Sequence, residues 1–155
     1  MDTMSDEALI DAIRAKLRRL SQSPMHLQKA LSDKLLADAT ARLAHEPPEF
    51  LVTLYRAIGN GGFGPNFGLL GLADGWTDEK NRDAVQCYEA FRDASNDTPF
   101  PDYLLPICIY GGGAYICADC RSPDAPLWLY DPAQEFDRLT PYGQQLKGWL
   151  SSWAG

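Results

Sequence analysis

The feature that most constrains the fold is a glycine-rich segment, AIGNGGFGPNFGLLGL, at residues 57–72. Within it Gly59, Gly61 and Gly64 have the G-x-G-x-x-G spacing of a dinucleotide-binding turn. Such a turn needs a strand before the glycines and a helix after them, because the helix N-terminus binds the phosphates. Here the preceding residues have helical spacing, and Pro65 and a short apolar run follow. The glycines are therefore predicted to permit positive φ and close backbone packing rather than to bind a cofactor.

The chain before this segment is predicted to be helical. Apolar residues recur on one face of residues 5–20, with acids first and bases last, as a helix dipole favours. Residues 25–44 predict a second helical region that is interrupted near Ser32, which can cap a helix running to Leu43. The sequence PEFLVTLYRAI, at 48–58, predicts a third helix with its proline in the first turn.

The chain after the glycine segment mixes strands and helices. The run GLLGL predicts a short strand, and TDEKNRDAVQCYEAFRDA predicts a helix capped by Thr77. Two apolar runs around three glycines, YLLPICIY-GGG-AYICADC, predict a hairpin, and PLWLYD predicts a further strand. The last segment, TPYGQQLKGWLSSWA, predicts a closing helix with Thr140 as its N-cap and Pro141 at its first position. The expected fold class is α+β, a mainly antiparallel sheet flanked by N- and C-terminal helices.

The glycine segment and the helix before it resemble the signature of the SUKH superfamily, the Smi/Knr-type proteins. That signature has a Pro-led helix, then N-G-G-F-G-P, then G-L-L-G-L. The chain matches its central, structural part with Asn60, Gly61, Gly62, Phe63, Gly64 and Pro65. The hairpin resembles the family's next block, although IYG stands where relatives often have an acidic or polar residue and Trp before the glycine. The resemblance covers roughly residues 30–155. It indicates one domain over 1–155, with 1–22 as an N-terminal helical extension.

The resemblance implies a protein without catalytic activity and without a cofactor. Many bacterial members look like immunity proteins, which bind and neutralise a toxin from the same locus, often a nuclease, by blocking its active site or substrate groove. Fungal members act as regulatory scaffolds. The first role is the leading hypothesis here, and a regulatory scaffold or ligand-binding module without a toxin partner is the alternative.

The distribution of charge says more about a partner than the total. The net charge is −7, and residues 1–58 hold eight acids and eight bases, so the whole excess lies in residues 59–155. Direct nucleic-acid binding is disfavoured, because phosphate contacts need clustered Lys and Arg. The excess acid serves either solubility or an acidic surface for a basic partner. No apolar stretch suggests a membrane span or a secretory signal, so a cytoplasmic protein is expected.

The cysteines and histidines do not form a recognisable metal or catalytic pattern. Cys117 and Cys120 make a C-x-x-C, but zinc sites commonly use two such pairs, and Cys87 and Cys108 are single. Side chains three apart on an extended strand point to opposite faces, so this pair is predicted to be structural, with no metal. The chain has neither G-x-S-x-G nor H-E-x-x-H. It is predicted not to be an enzyme.

Aromatic side chains among the acids of the second half are the strongest functional lead. Steering by carboxylates around aromatic anchors is typical of a protein-binding surface. Trp76 follows ADG in a turn-like setting and is expected to be exposed, whereas Asp119, at a strand end, has a second interpretation as the cap of the following turn. The candidate partner-binding residues are Trp76, Asp97, Asp102, Tyr110, Asp119 and Asp124.

Overall fold

A computed structural model describes residues 5–20, 28–93 and 100–155. Within these residues it contains five helices and four strands: α1 Asp6–Leu20, α2 Asp33–Arg42, α3 Glu49–Ala57, α4 Ala84–Asp93, β1 Leu104–Gly111, β2 Ala114–Asp119, β3 Pro126–Tyr130, β4 Leu139–Gln145 and α5 Leu146–Ala154. The strands form one antiparallel sheet in the order β1-β2-β3-β4. With helices before and after the sheet, the predicted α+β fold is confirmed.

The N-terminal helix is part of the hydrophobic core. Its apolar stripe is buried and packs against α5 and α3, and the Ser5 hydroxyl accepts a hydrogen bond from the Ala8 amide at its first turn. At the far end, Lys16 donates to the Trp153 carbonyl and lies over its ring. The predicted helical extension therefore contains α1, and α1 packs against the C-terminal helix α5.

The second and third helices begin close to where the sequence places them. Ser32 caps α2 by accepting a hydrogen bond from the Leu35 amide at 3.1 Å. Residues 28–32 are not helical, so the predicted region 25–44 narrows to α2, and 25–27 lie outside the described residues. Helix α3 begins one residue after Pro48.

The predicted start of the helix at Thr77 is wrong. The helix α4 begins seven residues later, and a turn over 78–83 precedes it. Its N-terminus is capped instead by Asp83, whose side chain accepts from the Gln86 amide at 2.8 Å while the Gln86 side chain accepts from the Asp83 amide at 2.9 Å. This reciprocal pair is a capping box, which satisfies two amides that the helix itself cannot.

The predicted closing helix from Thr140 is also wrong in its first half. Residues Leu139–Gln145 form strand β4, in which Pro141 lies opposite Trp128, and the helix begins only at Leu146. Gly143 has a φ of +86°, which a right-handed helix cannot contain. The strand is at the edge of the sheet, where a proline costs no ladder hydrogen bond.

The run GLLGL contributes less to the sheet than predicted. Among residues 68–72 only Leu69 makes a bridge, antiparallel to Cys108 of β1. The run is nevertheless fully buried, and the Leu70 amide donates to the Ile107 carbonyl at 2.7 Å. It therefore fixes the glycine segment against the outer side of β1.

Candidate functional site

The glycine segment is a tightly closed loop in which backbone lies against backbone. Gly61 has a φ of +87°, and a Cβ on it would lie 2.6 Å from the Gly71 nitrogen and the Leu69 carbonyl oxygen. Asn60, 2% exposed, donates to the Ala73 carbonyl at 2.7 Å and accepts from the Leu72 amide at 2.9 Å. These contacts hold the backbone of the segment closely packed.

Trp76 packs onto the same loop. Its ring faces Gly62, where a Cβ would lie 3.2 Å from the indole, and its Nε1 donates to the Phe67 carbonyl at 3.3 Å. The side chain is half-buried rather than exposed as expected. The residue that it supports, Phe67, is 61% exposed.

Exposed aromatic side chains cluster at one end of the sheet. The β1–β2 turn at 112–113 and the β3–β4 loop at 131–138 lie at this end, because Tyr115 pairs with Tyr130 between them. Phe67 joins them, since its ring lies 3.8 Å from the Cβ position of Gly111. We call this region, residues 67, 110–113 and 131–138, the hairpin end. It carries three of the four exposed large hydrophobic residues in the described part of the chain: Phe67 at 61%, Tyr110 at 46% and Phe136 at 76%.

The acidic candidates lie elsewhere. Asp102, just before β1, pairs with His45 at 3.5 Å, and Asp124 is exposed in the β2–β3 turn. Asp119 ends β2 and is 5% exposed; its carboxylate accepts from the Arg121 amide at 2.9 Å and pairs with the Arg121 guanidinium at 2.8 Å. All three lie at the end of the sheet opposite the hairpin end, and Asp97 lies outside the described residues. The structure therefore separates these carboxylates from Tyr110.

A cleft of about 560 Å³ opens at the hairpin end, between the sheet, α4 and the turn at 78–83. Its aromatic floor consists of Phe91, Tyr115 and Tyr130. The ring centroids of the two tyrosines lie 4.9–5.0 Å from that of Phe91. Phe67 and the glycine turn 111–113 form its wall. Four charged residues line it: Glu79, Lys80, Arg82 and Arg138.

A buried polar network fixes Arg82 at the cleft. The Asp78 side chain is 1% exposed and accepts hydrogen bonds from Tyr115 Oη at 2.7 Å and Arg82 Nε at 3.0 Å. Arg82 Nη2 also donates to Tyr115 Oη at 3.1 Å. Burial alone would raise the pKa of Asp78, but the hydrogen bonds from Tyr115 and Arg82 hold it below its ordinary value. The carboxylate is therefore ionised at neutral pH, and the arginine is held in one orientation.

The cysteines are free thiols in the interior. Cys117 is buried in β2, and Cys120 lies just beyond the strand with partial exposure. Burial raises the pKa of Cys108 and of Cys120 to about 12, so both are protonated at neutral pH. In the described residues no group of three or more His, Cys, Asp or Glu side chains is placed to hold a metal ion.

The family model of the SMI1/KNR4 family (SUKH-1) matches residues 30–152, most of the chain. The chain belongs to this family. The match includes the glycine segment, α4 and the whole sheet, and it begins after α1. Neither a curated protein nor a solved structure matches the chain. No helix in residues 5–20, 28–93 and 100–155 is long and apolar enough to cross a membrane.

Sequence reasoning missed the two most exposed aromatic residues. Phe136 stands between two acids in EFD, inside a loop whose proline and acids mark it as a connection. That context is a usable signal, because an aromatic residue in a polar loop has no core to enter. Phe67, within PNFGLL, gave no such signal, since the apolar run that follows it is buried.

Proposed function

We propose that this protein is an immunity protein that binds and neutralises a cognate bacterial toxin, a nuclease effector, by blocking its active site or substrate groove. Membership of the SMI1/KNR4 family supports this role, because the resemblance implies that many bacterial members are immunity proteins. It acts by binding and not by catalysis. A large part of the toxin partner's surface is basic, to match the acidic second half of this chain.

The observation that carries a protein-binding function is the clustering of exposed aromatic side chains at the hairpin end. Single exposed apolar residues are common on protein surfaces, but three at one end of a sheet are characteristic of an interface. Aromatic anchors dominate the binding energy of many interfaces. In this proposal Phe136, Tyr110 and Phe67 are the anchors, and Glu135 and Asp137 steer the partner from the loop beside Phe136.

The experiment is co-purification with the effector domain encoded next to the gene. We expect a stable complex that protects cells from the toxin. The double variant Phe136→Ser/Tyr110→Ser should weaken the complex at least tenfold, because two anchors are lost. The matched control is Leu20→Ser, which removes the remaining large exposed hydrophobic side chain of the described residues, at the end of α1. A double variant that binds as tightly as the control would place the interface elsewhere.

The alternative function, a regulatory scaffold without a toxin, predicts a different outcome. The neighbouring gene would then encode no effector, and the protein would co-purify with other partners. The hairpin end serves as the docking surface in both cases, so the identity of the partner decides between them.

A further inference from the structure

The cleft at the hairpin end has a charge opposite to that of the protein. Among the described residues, Lys80, Arg82 and Arg138 line it with one acid, Glu79. Asp78, behind Arg82, neutralises one of these cations. The cleft therefore keeps a positive charge in a chain whose net charge is −7.

The cations of the cleft have free donors. Arg82 uses Nε and Nη2 for Asp78 and Tyr115, and its Nη1 has no partner among the described residues. The Lys80 side chain likewise makes no hydrogen bond or ion pair within the described part of the chain, and Arg138 uses only Nε, for the Gln134 carbonyl. The free Nη1 of Arg82 is suited to an anion, because an arginine held in one orientation loses little entropy on binding.

Aromatic side chains form the floor and part of the wall of the cleft. Phe91, Tyr115 and Tyr130 close its floor, and Phe67 stands at its wall with most of its ring exposed. The volume of about 560 Å³ falls in the range of small-ligand pockets. Among the described residues no side chain lies within 4 Å of the Cβ positions of Gly112 and Gly113, so the turn leaves the entrance open.

We propose that this cleft binds a small organic anion that consists of an aromatic ring carrying a carboxylate or a phosphate. The ring lies on the aromatic floor beside Phe67, and the anionic group accepts hydrogen bonds from Arg82 Nη1 and charge-assisted contacts from Lys80 and Arg138. This site lies at the hairpin end and shares Phe67 with the proposed toxin-binding surface, but binding of the small anion does not rest on the toxin-blocking role. A toxin that failed to bind would leave the ligand site intact.

The test uses four probes that share one ring and differ in charge: phenylacetate, phenyl phosphate, phenylacetamide and phenethylamine. Binding is followed by two-dimensional amide NMR of the full chain. We expect at least one anion to saturate with a Kd below about 1 mM. The amide and the amine should bind at least about tenfold more weakly, since they lose the charge-assisted bonds. The amides of Phe67 and of Gly111–Gly113 should shift, and that of Gly148 in α5 should not.

Saturation by both anions or by either one supports the proposal, and it separates a carboxylate ligand from a phosphate ligand. The variant Lys80→Gln/Arg138→Gln should weaken binding of the anion at least tenfold. The control variant Lys147→Gln/Arg56→Gln removes the same charge from residues outside the cleft and should leave the affinity for the anion unchanged. Phe67→Ala gives an independent check that leaves all three cations in place, and it should also weaken binding. The proposal is overturned if neither anion saturates with a Kd below about 1 mM, if the amide binds as tightly, or if the cleft variants match the controls.

Discussion

At the residue scale, the glycine segment shows two separate reasons for a glycine. Gly61 needs a positive φ, which the pattern NGGFGP indicates from sequence. Gly59 and Gly75 have no such φ, but a Cβ would meet the Gln28 carbonyl oxygen at 2.6 Å and the Asn60 carbonyl oxygen at 2.2 Å. The second reason could not be predicted, because the contacting atoms come from distant parts of the chain.

Gly61→Ala should be far more destabilising than Gly112→Ala. Both residues have positive φ, but only Gly61 has backbone atoms within 3.0 Å of a Cβ. Gly112→Ala should lower the free energy of unfolding by about 1 kcal/mol because of its backbone conformation. Gly61→Ala should lower it by about 2–4 kcal/mol more, since neighbouring backbone must move. Urea denaturation of the two variants measures the difference. Equal losses would mean that the close approach is relieved by small shifts.

Tyr115→Phe should destabilise the fold by an amount that depends on pH. The variant removes the donor to Asp78, so the pKa of this carboxyl should rise toward its ordinary value. Because the native pKa lies below the unfolded one, the stabilisation is complete above about pH 4 and is lost as the pH falls through the native value. We expect a loss of about 2 kcal/mol at pH 7.

The measurement is the difference in unfolding free energy between wild type and variant from pH 7 to pH 2. The difference should shrink below about pH 4. Asp83, whose pKa burial raises, has the opposite dependence but is present in both proteins and cancels. Tyr103→Phe is the control, since its hydroxyl makes no hydrogen bond within the described residues. A pH-independent difference would show that the Tyr115 hydroxyl stabilises the fold independently of the charge on Asp78.

At the scale of elements, the pattern of apolar residues placed most helices and the β1–β2 hairpin, and it failed where two signals competed. Thr77 followed by two acids has the form of an N-terminus, but Asp83 and Gln86, six residues on, form the real one. Likewise Thr140-Pro141 has the form of a helix start. The positive φ of Gly143 and the pairing of β4 with β3 depend on tertiary contacts, which local patterns do not contain.

Asp83→Ala should lower the stability by about 1–2 kcal/mol, since it removes the cap of α4. It also frees the Asp74 amide, which donates to the same carboxylate at 3.1 Å. Asp83→Asn should lose less, because an asparagine still caps and avoids burying a charge. Thr77→Ala, at the predicted cap, should stay within about 0.5 kcal/mol of wild type. Thermal unfolding of the three variants would refute this assignment if Thr77 proved the more sensitive.

At the scale of the whole molecule, the sequence identified the asymmetry of charge but not its arrangement. Aromatic anchors and carboxylates were expected on one surface. The antiparallel order instead places Asp102, Asp119 and Asp124 at one end and Tyr110 at the other. The register of the strands determines which residues lie at the same end of the sheet, and the sequence of the candidate residues does not contain that register. The hairpin end still has its own carboxylates, in the loop that carries Phe136.

Neutralising the acids at each end of the sheet tests which end the partner approaches. Charge steering raises association rates and is screened by salt over a Debye length of about 8 Å at physiological ionic strength. Glu135→Gln/Asp137→Asn removes two exposed acids beside Phe136, and asparagine tolerates the φ of +52° at residue 137. Asp102→Asn/Asp124→Asn removes the same charge from the opposite end.

We expect stopped-flow association with the effector domain to slow severalfold for the first variant at low salt, with no difference from wild type near 1 M salt. The second variant should change the on-rate little, because its charges lie a sheet length from the anchors. If the second variant slowed association more, the partner would approach the end that carries Asp102 and Asp124. A third outcome is that neither variant slows association and that the on-rate of wild type does not depend on salt. The acidic half would then serve solubility, and the aromatic anchors would set the affinity through the off-rate.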